Sequence, residues 1–487
     1  MIITEILRRN ANVHTHEVAL IERSPADNTR REITWKEFDI QSDRIANALI
    51  AKGIRKGNKV IFLMMNCLEW LPTYFGILRT GAWAVPLNFR FSGNDIRNCN
   101  DIAEAKAIIF GEEFVERLDA VKAALDKSVS IYIFAGPDEQ RPDYAEPYAD
   151  VISSGSTESP KVEISLLDSA ALYFTSGTTG KPKAVHLTHR NLEFACYVEN
   201  RHHNQTHEDN FLCIPPLYHT GAKMHWFGNF IVGAKSVILK GIRPQWILEA
   251  ASEEKATIVW LLVPWAHDIL IAIENGEVRL DDYELDQWRL MHIGAQPVPP
   301  SLIQKWKRVF PHHQYDTNYG LTECTGPGCV HLGLENMHKV GAIGVPGFDW
   351  ECMVFDWEAM AAEKVLKPLP RGESGELAVR GPGLMREYYK NPEETESALV
   401  DGWLLTGDIG RMDEDGFIWL VDRRKDVIIT GGENIFPVEI EDFFMGHDKV
   451  QDVGVIGIPD ERLGEIVTAV IKVKASCTMT EDEVRQF

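Results

Sequence analysis

The densest chemistry in the sequence is one run, Thr175-Ser176-Gly177-Thr178-Thr179-Gly180-Lys181-Pro182-Lys183, in which hydroxyl residues, glycines and lysines stand side by side. Glycine lets backbone N–H groups face inward as an anion nest, hydroxyls donate to phosphoryl oxygens, and lysines supply positive charge. The run is suited to holding a polyphosphate. It is not a Walker loop, which has four residues between its glycines and a Ser or Thr after its lysine to hold magnesium. Here only Thr178 and Thr179 separate Gly177 from Gly180, and Pro182 follows Lys181. Taken alone, Ser-Gly-Thr-Thr-Gly is also what a surface turn looks like. The flanking lysines and the apolar run Ala170-Ala171-Leu172-Tyr173-Phe174 favour a loop launched from a buried strand.

The elements around this loop read as an α/β protein. Helix-period stretches alternate with short β-branched runs, as where Ile40 to Lys52 is followed by Lys59-Val60-Ile61-Phe62. The alternation returns at Phe211-Leu212-Cys213-Ile214, Ser236-Val237-Ile238-Leu239, Thr257 to Leu262 and Leu290-Met291-His292-Ile293, so one doubly wound unit is expected to follow another. From Gly341 to Leu420 glycines and prolines crowd between short segments, the texture of a small antiparallel β unit. A βα-like tail follows the charged run Asp422-Arg423-Arg424-Lys425-Asp426, with a helix expected from Pro437, and a domain boundary is placed at that run. A chain of 487 residues is too long for a single core.

Composition narrows the partners. Lys and Arg number 50 against 72 Asp and Glu, a formal net charge of −22, which repels a nucleic-acid backbone. The eight cysteines are scattered, with no Cys-x-x-Cys spacing, and read as reduced and mostly packed in a cytoplasmic protein. The start of the chain turns to charge too early for a secretory signal. The most apolar window, Thr257 to Ile273, contains Pro264, His267 and Asp268 and reads as a buried strand and helix, so no membrane span is expected.

With the loop at Thr175 and further motifs in order behind it, the sequence resembles, over essentially its whole length, the adenylate-forming superfamily of acyl-CoA synthetases, aryl-CoA ligases and luciferases. The resemblance implies a large N-terminal domain, residues 1–421, of two doubly wound βα subdomains plus a small β-barrel subdomain at about 341–421. A small mobile α+β domain, 422–487, follows. It also implies roles. Thr175, Ser176, Gly177, Thr178, Thr179, Gly180, Lys181 and Lys183 would hold the phosphates of ATP. In Asn318-Tyr319-Gly320-Leu321-Thr322-Glu323, Asn318 and Gly320 would line the nucleotide site, Tyr319 would stack on adenine, Thr322 would contact the α-phosphate and Glu323 would help bind Mg2+, which favours one carboxylate plus phosphate oxygens. Gly294-Ala295-Gln296-Pro297 would line the adenine and acyl sites. Asp408, in Trp403-Leu404-Leu405-Thr406-Gly407-Asp408, would take the ribose hydroxyls. Arg423 would contact ribose and phosphate, and Lys425 would be the hinge of the C-terminal domain. His219, in Leu217-Tyr218-His219-Thr220-Gly221, would gate the acyl pocket, and Gly431, Gly432 and Glu433 would line a coenzyme A tunnel.

The implied reaction joins a carboxylate to the α-phosphate of ATP with release of pyrophosphate, and then passes the acyl group to CoA with release of AMP. Relatives carry a further C-terminal turn, Pro-x-Gly-Lys, whose lysine serves the first half; none follows here, so an incomplete C-terminal domain and slow adenylation are expected. Lys223, Met224, His225, Trp226 and Phe227 follow the gate, and their bulk favours a short, medium or aryl acid over a very long chain. Lys223 is expected to be solvated, with pairing to a second polar group of the substrate as the alternative. His202, His203 and His207 are expected in a solvated loop. An enzyme that loads a carrier protein and a non-catalytic acyl-nucleotide binding module are the competing readings, and a homodimer is compatible with either.

Overall fold

The computed structural model describes the whole chain except residues 177–181, 431–432, 461, 463 and 476. Two compact units result, one of Met1–Glu351 with Arg380–Leu399 and one of Cys352–Val379 with Val400–Phe487.

The larger unit holds two large sheets and a small three-stranded one, Asn318–Leu321, Gly326–His331 and Val345–Pro346. The first runs Glu387–Tyr388, Pro182–Thr188, Ser169–Ser176, Trp83–Pro86, Lys59–Leu63, Ala107–Phe110, Ile131–Phe134 and Glu146–Pro147. Its middle strands are parallel and joined by helices, as the alternation predicts. Ala107–Phe110 is buried at every position, as a strand covered on both faces must be. The second sheet runs Gln314–Asp316, Leu290–Gly294, Ile258–Leu262, Asn210–Cys213, Lys235–Leu239, Val18–Ser24 and Thr29–Thr34, parallel except for its last hairpin. The apolar window ends up as expected, as strand Ile258–Leu262 and helix Val263–Glu274.

Helices Trp35–Ala51, Trp70–Arg79 and Thr220–Ile231 meet in an aromatic core. Phe75 lies 5.3 Å from Phe38 and 5.2 Å from Phe230, which is in turn 4.9 Å from Trp226. Thr34 starts the first of these helices through a capping box, accepting from the Glu37 N–H at 3.2 Å while the Glu37 carboxylate accepts from the Thr34 N–H at 2.7 Å.

The smaller unit holds an antiparallel sheet, in which Ser374–Arg380 pairs with Trp403–Met412 and the latter with Ile418–Arg423. Beyond it, Val450–Asp460 and Gly464–Val473 form a long antiparallel pair, extended by Ile428–Thr430 and Glu433–Ile435. Helix Pro437–Met445 packs on this sheet, where the Glu441 carboxylate accepts from the Val455 N–H at 2.7 Å. The tail expected to be incomplete is therefore a folded α+β element: paired strands and a docked helix satisfy its backbone and bury Ile428, Val450 and Val455.

Candidate active site

Strands Ser169–Ser176 and Pro182–Thr188 pair antiparallel, with Thr175 opposite Lys183. Gly177, Thr178, Thr179, Gly180 and Lys181, between them, lie outside the described residues. Lys183 forms an ion pair with Glu394, and its ammonium stands 5.2 Å from the centre of the Tyr388 ring. Tyr388 donates its hydroxyl to Glu323 Oε1 at 2.7 Å. Lys183, from the run that begins at Thr175, and the acidic residue of the second motif thus meet across one tyrosine. Burial, and then the Glu323 carboxylate, hold the Tyr388 phenol well above its ordinary range, so it remains a donor. Neither Tyr388 nor Glu394 stands in a motif singled out from the sequence. Their signal is the Asn391-Pro392 helix start that fixes them: Asn391 caps Pro392–Ala398, and Thr395 Oγ1 accepts from the Tyr388 N–H at 3.0 Å.

Strand Asn318–Leu321 carries Asn318, Tyr319 and Gly320, and the single turn Thr322–Cys324 carries Thr322 and Glu323. The turn is tied down where the Glu323 carbonyl accepts from the Met385 N–H at 2.7 Å and Thr325 donates to the Gly383 carbonyl at 2.6 Å. Tyr319 is buried. Gly294 ends strand Leu290–Gly294, where a β-carbon would lie 3.9 Å from the Asn318 carbonyl oxygen, so the two predicted segments are neighbours. Ala295 has φ of 67°, a left-handed conformation uncommon for a residue with a side chain, and Gln296 and Pro297 are exposed beyond it. A half-buried single carboxylate beside hydroxyls suits Mg2+ held together with phosphate oxygens, so Glu323 fits that ion.

In the smaller unit Asp408 and Arg423 face each other across paired strands, Arg423 Nε lying 3.3 Å from Asp408 Oδ1. Gly407 turns the chain at φ of 74° and donates to Glu376 Oε1 at 2.9 Å, and Glu376 also accepts from Arg424 at 2.7 Å. Burial pushes the Glu376 carboxyl up and Arg424 pulls it back. Glu376, only 1% exposed, braces the Thr406-Gly407-Asp408 turn and was not marked by any sequence signal beyond its strand. Lys425 sits exposed in the turn Arg424–Asp426. Gly431 and Gly432 lie outside the described residues, and Glu433 opens strand Glu433–Ile435.

Helix Thr220–Ile231 departs from expectation. His219 is exposed and caps it, accepting from the Gly221 N–H at 3.0 Å. Lys223, expected in solvent, is fully buried, its ammonium 4.2 Å from the centre of the Tyr74 ring and 4.3 Å from that of Tyr173. Every residue from Thr220 to Phe230 is buried, because this helix lies in the core rather than along a surface. Trp226 serves the aromatic core, so bulk in this run does not by itself describe a pocket wall. His203, expected in a solvated loop, is also fully buried, as the last residue of helix His189–His203. His202 stacks on His331 at 3.8 Å, while His207 pairs with Glu17 at 2.7 Å. The polar stretch misled because its helix turns one histidine inward onto buried carboxylates.

Residues 7–389 match the model of the AMP-binding enzyme family, and residues 439–487 match that of the AMP-binding enzyme C-terminal domain. The chain belongs to this family of adenylate-forming enzymes, and its C-terminal domain is present. It is 31% identical over 465 residues to the feruloyl-CoA synthase of an Amycolatopsis species, covering 95% of this chain and 87% of that protein. It is 30% identical over 473 residues to a long-chain-fatty-acid–CoA ligase of Mycobacterium tuberculosis, covering 96% and 87%. The crystal structure of ATP-bound MatB from Rhodopseudomonas palustris superposes with a TM-score of 0.86 at 26% identity, covering 99% of this chain and 91% of that one.

Proposed function

We infer that this chain is an AMP-forming acid–thiol ligase: it condenses a carboxylic acid with ATP to an acyl-adenylate and pyrophosphate, and transfers the acyl group to coenzyme A with release of AMP. The observation that carries the reading is the convergence of Lys183 and Glu323 on Tyr388 beside the strand end at Thr175. A cation, a carboxylate and a fixed phenol next to a phosphate loop are what an attack on an α-phosphate needs, since that chemistry is mostly positioning and charge stabilisation.

The remaining roles follow as proposals. Thr175, the loop 177–181, Lys183 and Thr322 receive the phosphates, Tyr319 with Gly294 and Asn318 receives adenine, and Asp408 with Arg423 receives ribose. Glu323 would hold Mg2+, which when bound offsets phosphate charge. Glu394 positions Lys183, and Glu376 positions Asp408. Lys425 acts as the hinge of a domain beginning at residue 422, and residues 431–433 approach CoA in the thioester-forming half. Its eight cysteines, none in a disulfide, fit a reducing cytoplasm. The relatives act on ferulate, long-chain fatty acids and 2-succinylbenzoate, so the acid is sought among aryl and aliphatic carboxylates.

AMP release measured over a panel of such acids, with and without CoA, tests the reading. Release that requires both an acid and CoA is expected. Pyrophosphate formed with an acid but no AMP release on adding CoA would favour loading of a carrier protein, and no product with any acid would favour a binding module.

A further inference from the structure

Beneath the strand that leads into Asn318, the larger unit buries two carboxylates among imidazoles. Glu199 and Asp316 have fully buried side chains, and so do His203, His292 and His331, with His225 nearly so. The ion-pair partners of both carboxylates are all imidazoles among the described residues. Two buried carboxylates with no lysine or arginine partner require positive charge from protons or from a cation.

The hydrogen bonds decide where protons can stand. His225 Nδ1 lies 2.6 Å from the Gly221 carbonyl oxygen, which can only accept, so Nδ1 carries hydrogen. His225 Nε2 lies 3.1 Å from the Asn318 amide nitrogen, which also points to the Glu199 carboxylate at 3.4 Å and is therefore the donor end of that amide. His225 Nε2 is thus a lone pair. His292 Nε2, 2.7 Å from it, must carry the shared hydrogen. The other nitrogen of a neutral His292, Nδ1, is then a second lone pair, and it faces Asp316 Oδ2 at 3.6 Å with no hydrogen-bond partner among the described residues. That separation is too long for an N–H···O bond. His203 Nε2 stands 2.8 Å from the same oxygen. Asp316 is held with Oδ2 turned inward because its Oδ1 accepts from the Gly333 N–H at 3.0 Å.

We propose that His203 Nε2, His292 Nδ1 and Asp316 Oδ2 are the ligands of a buried divalent transition-metal site of the zinc class. These three atoms all lie within 4.8 Å of one another. Donors at zinc distances in a tetrahedron stand about 3.3 Å apart, and the separations of 2.8 and 3.6 Å from the carboxylate oxygen bracket that value. Two imidazoles with one carboxylate suit zinc, whereas Mg2+ and Ca2+ favour all-oxygen sets. The site joins the end of helix His189–His203 to strands Leu290–Gly294 and Gln314–Asp316, from which the segments at Gly294 and Asn318 emerge. It is a structural site, and Glu323 is not among its ligands.

The test is metal content of the full-length protein purified from zinc-supplemented and from cobalt-supplemented cultures. About one equivalent of metal per chain is expected, with the visible bands of four-coordinate nitrogen-ligated cobalt. The exposed trio His14, Glu17 and His207 could hold a surface ion, so Glu17→Gln is the control and should retain the metal. His292→Gln and Asp316→Asn should each lose it. Should those variants fail to fold, the wild-type and Glu17→Gln proteins still decide the matter. Wild-type protein with less than about a tenth of an equivalent after both cultures, or metal lost in Glu17→Gln, would overturn the proposal and leave a cluster charged by protons alone.

Discussion

Tyr388 links the two most informative motifs, because its hydroxyl fixes one oxygen of Glu323 while its ring faces the Lys183 ammonium. A hydrogen bond to a charged group contributes about 1.5–3 kcal/mol. Tyr388→Phe is therefore expected to slow adenylation about tenfold or more, read as pyrophosphate–ATP exchange, while thioester formation from supplied acyl-adenylate is spared. Equal slowing of both halves would place the tyrosine elsewhere in the cycle. Lys223 makes the opposite case. Its ammonium is fully buried over aromatic rings with no hydrogen-bond partner among the described residues, and burial drives its pKa well below the ordinary lysine range. Lys223→Met keeps the stem and removes the desolvated amine, so a gain of about 1–3 kcal/mol in urea unfolding is expected. A loss of stability would show that the amine meets a partner when the protein is folded in solution.

At the scale of elements, the first three helices are pinned by one buried cation. Arg79 lies 5% exposed on helix Trp70–Arg79 and donates to Asp39 at 2.5 Å and to Asp43 at 2.8 Å, both on helix Trp35–Ala51. Arg8, on helix Ile3–Val13, reaches the same two carboxylates at 3.0 and 2.8 Å. Burial raises the Asp43 pKa, and Arg79 is the first group that pulls it back. Arg79→Met leaves two buried carboxylates to the half-exposed Arg8 and to Lys36, 3.9 Å from Asp39, at an expected cost of about 3 kcal/mol. Urea midpoints compared with those of Arg8→Met would measure it, and a cost below about 1 kcal/mol would show that Arg8 and Lys36 suffice to neutralise the pair.

For the whole molecule, pH dependence follows from imidazoles buried without charge. Burial lowers His189 from 6.5 to about 4 and His313 from 6.5 to about 3. Between the unfolded and folded values the unfolded chain binds more protons, so stability falls as pH drops from about 6.5 towards 4, by up to about 1.4 kcal/mol per pH unit for each group. Below both values the dependence ends. Unfolding in urea at pH 7 and pH 5 should show this slope, and His189→Gln should reduce it while leaving the share of His313; an unchanged slope would mean that His189 titrates normally. The alternating strands and helices and the order of the motifs were legible in the sequence, because periodicity and glycine placement act within a few residues. What was misread shares one cause. Lys223 and His203 look solvated by residue type, yet each lies on a helix whose inward face is set by neighbours far along the chain. Tyr388 and Glu376 carry no motif because their roles arise across pairings of strands distant in sequence. Local chemistry, written in the chain, determined which residue types stand together in each motif; long-range packing alone decided which charges are buried, and therefore which carboxylates need a positive partner beside them.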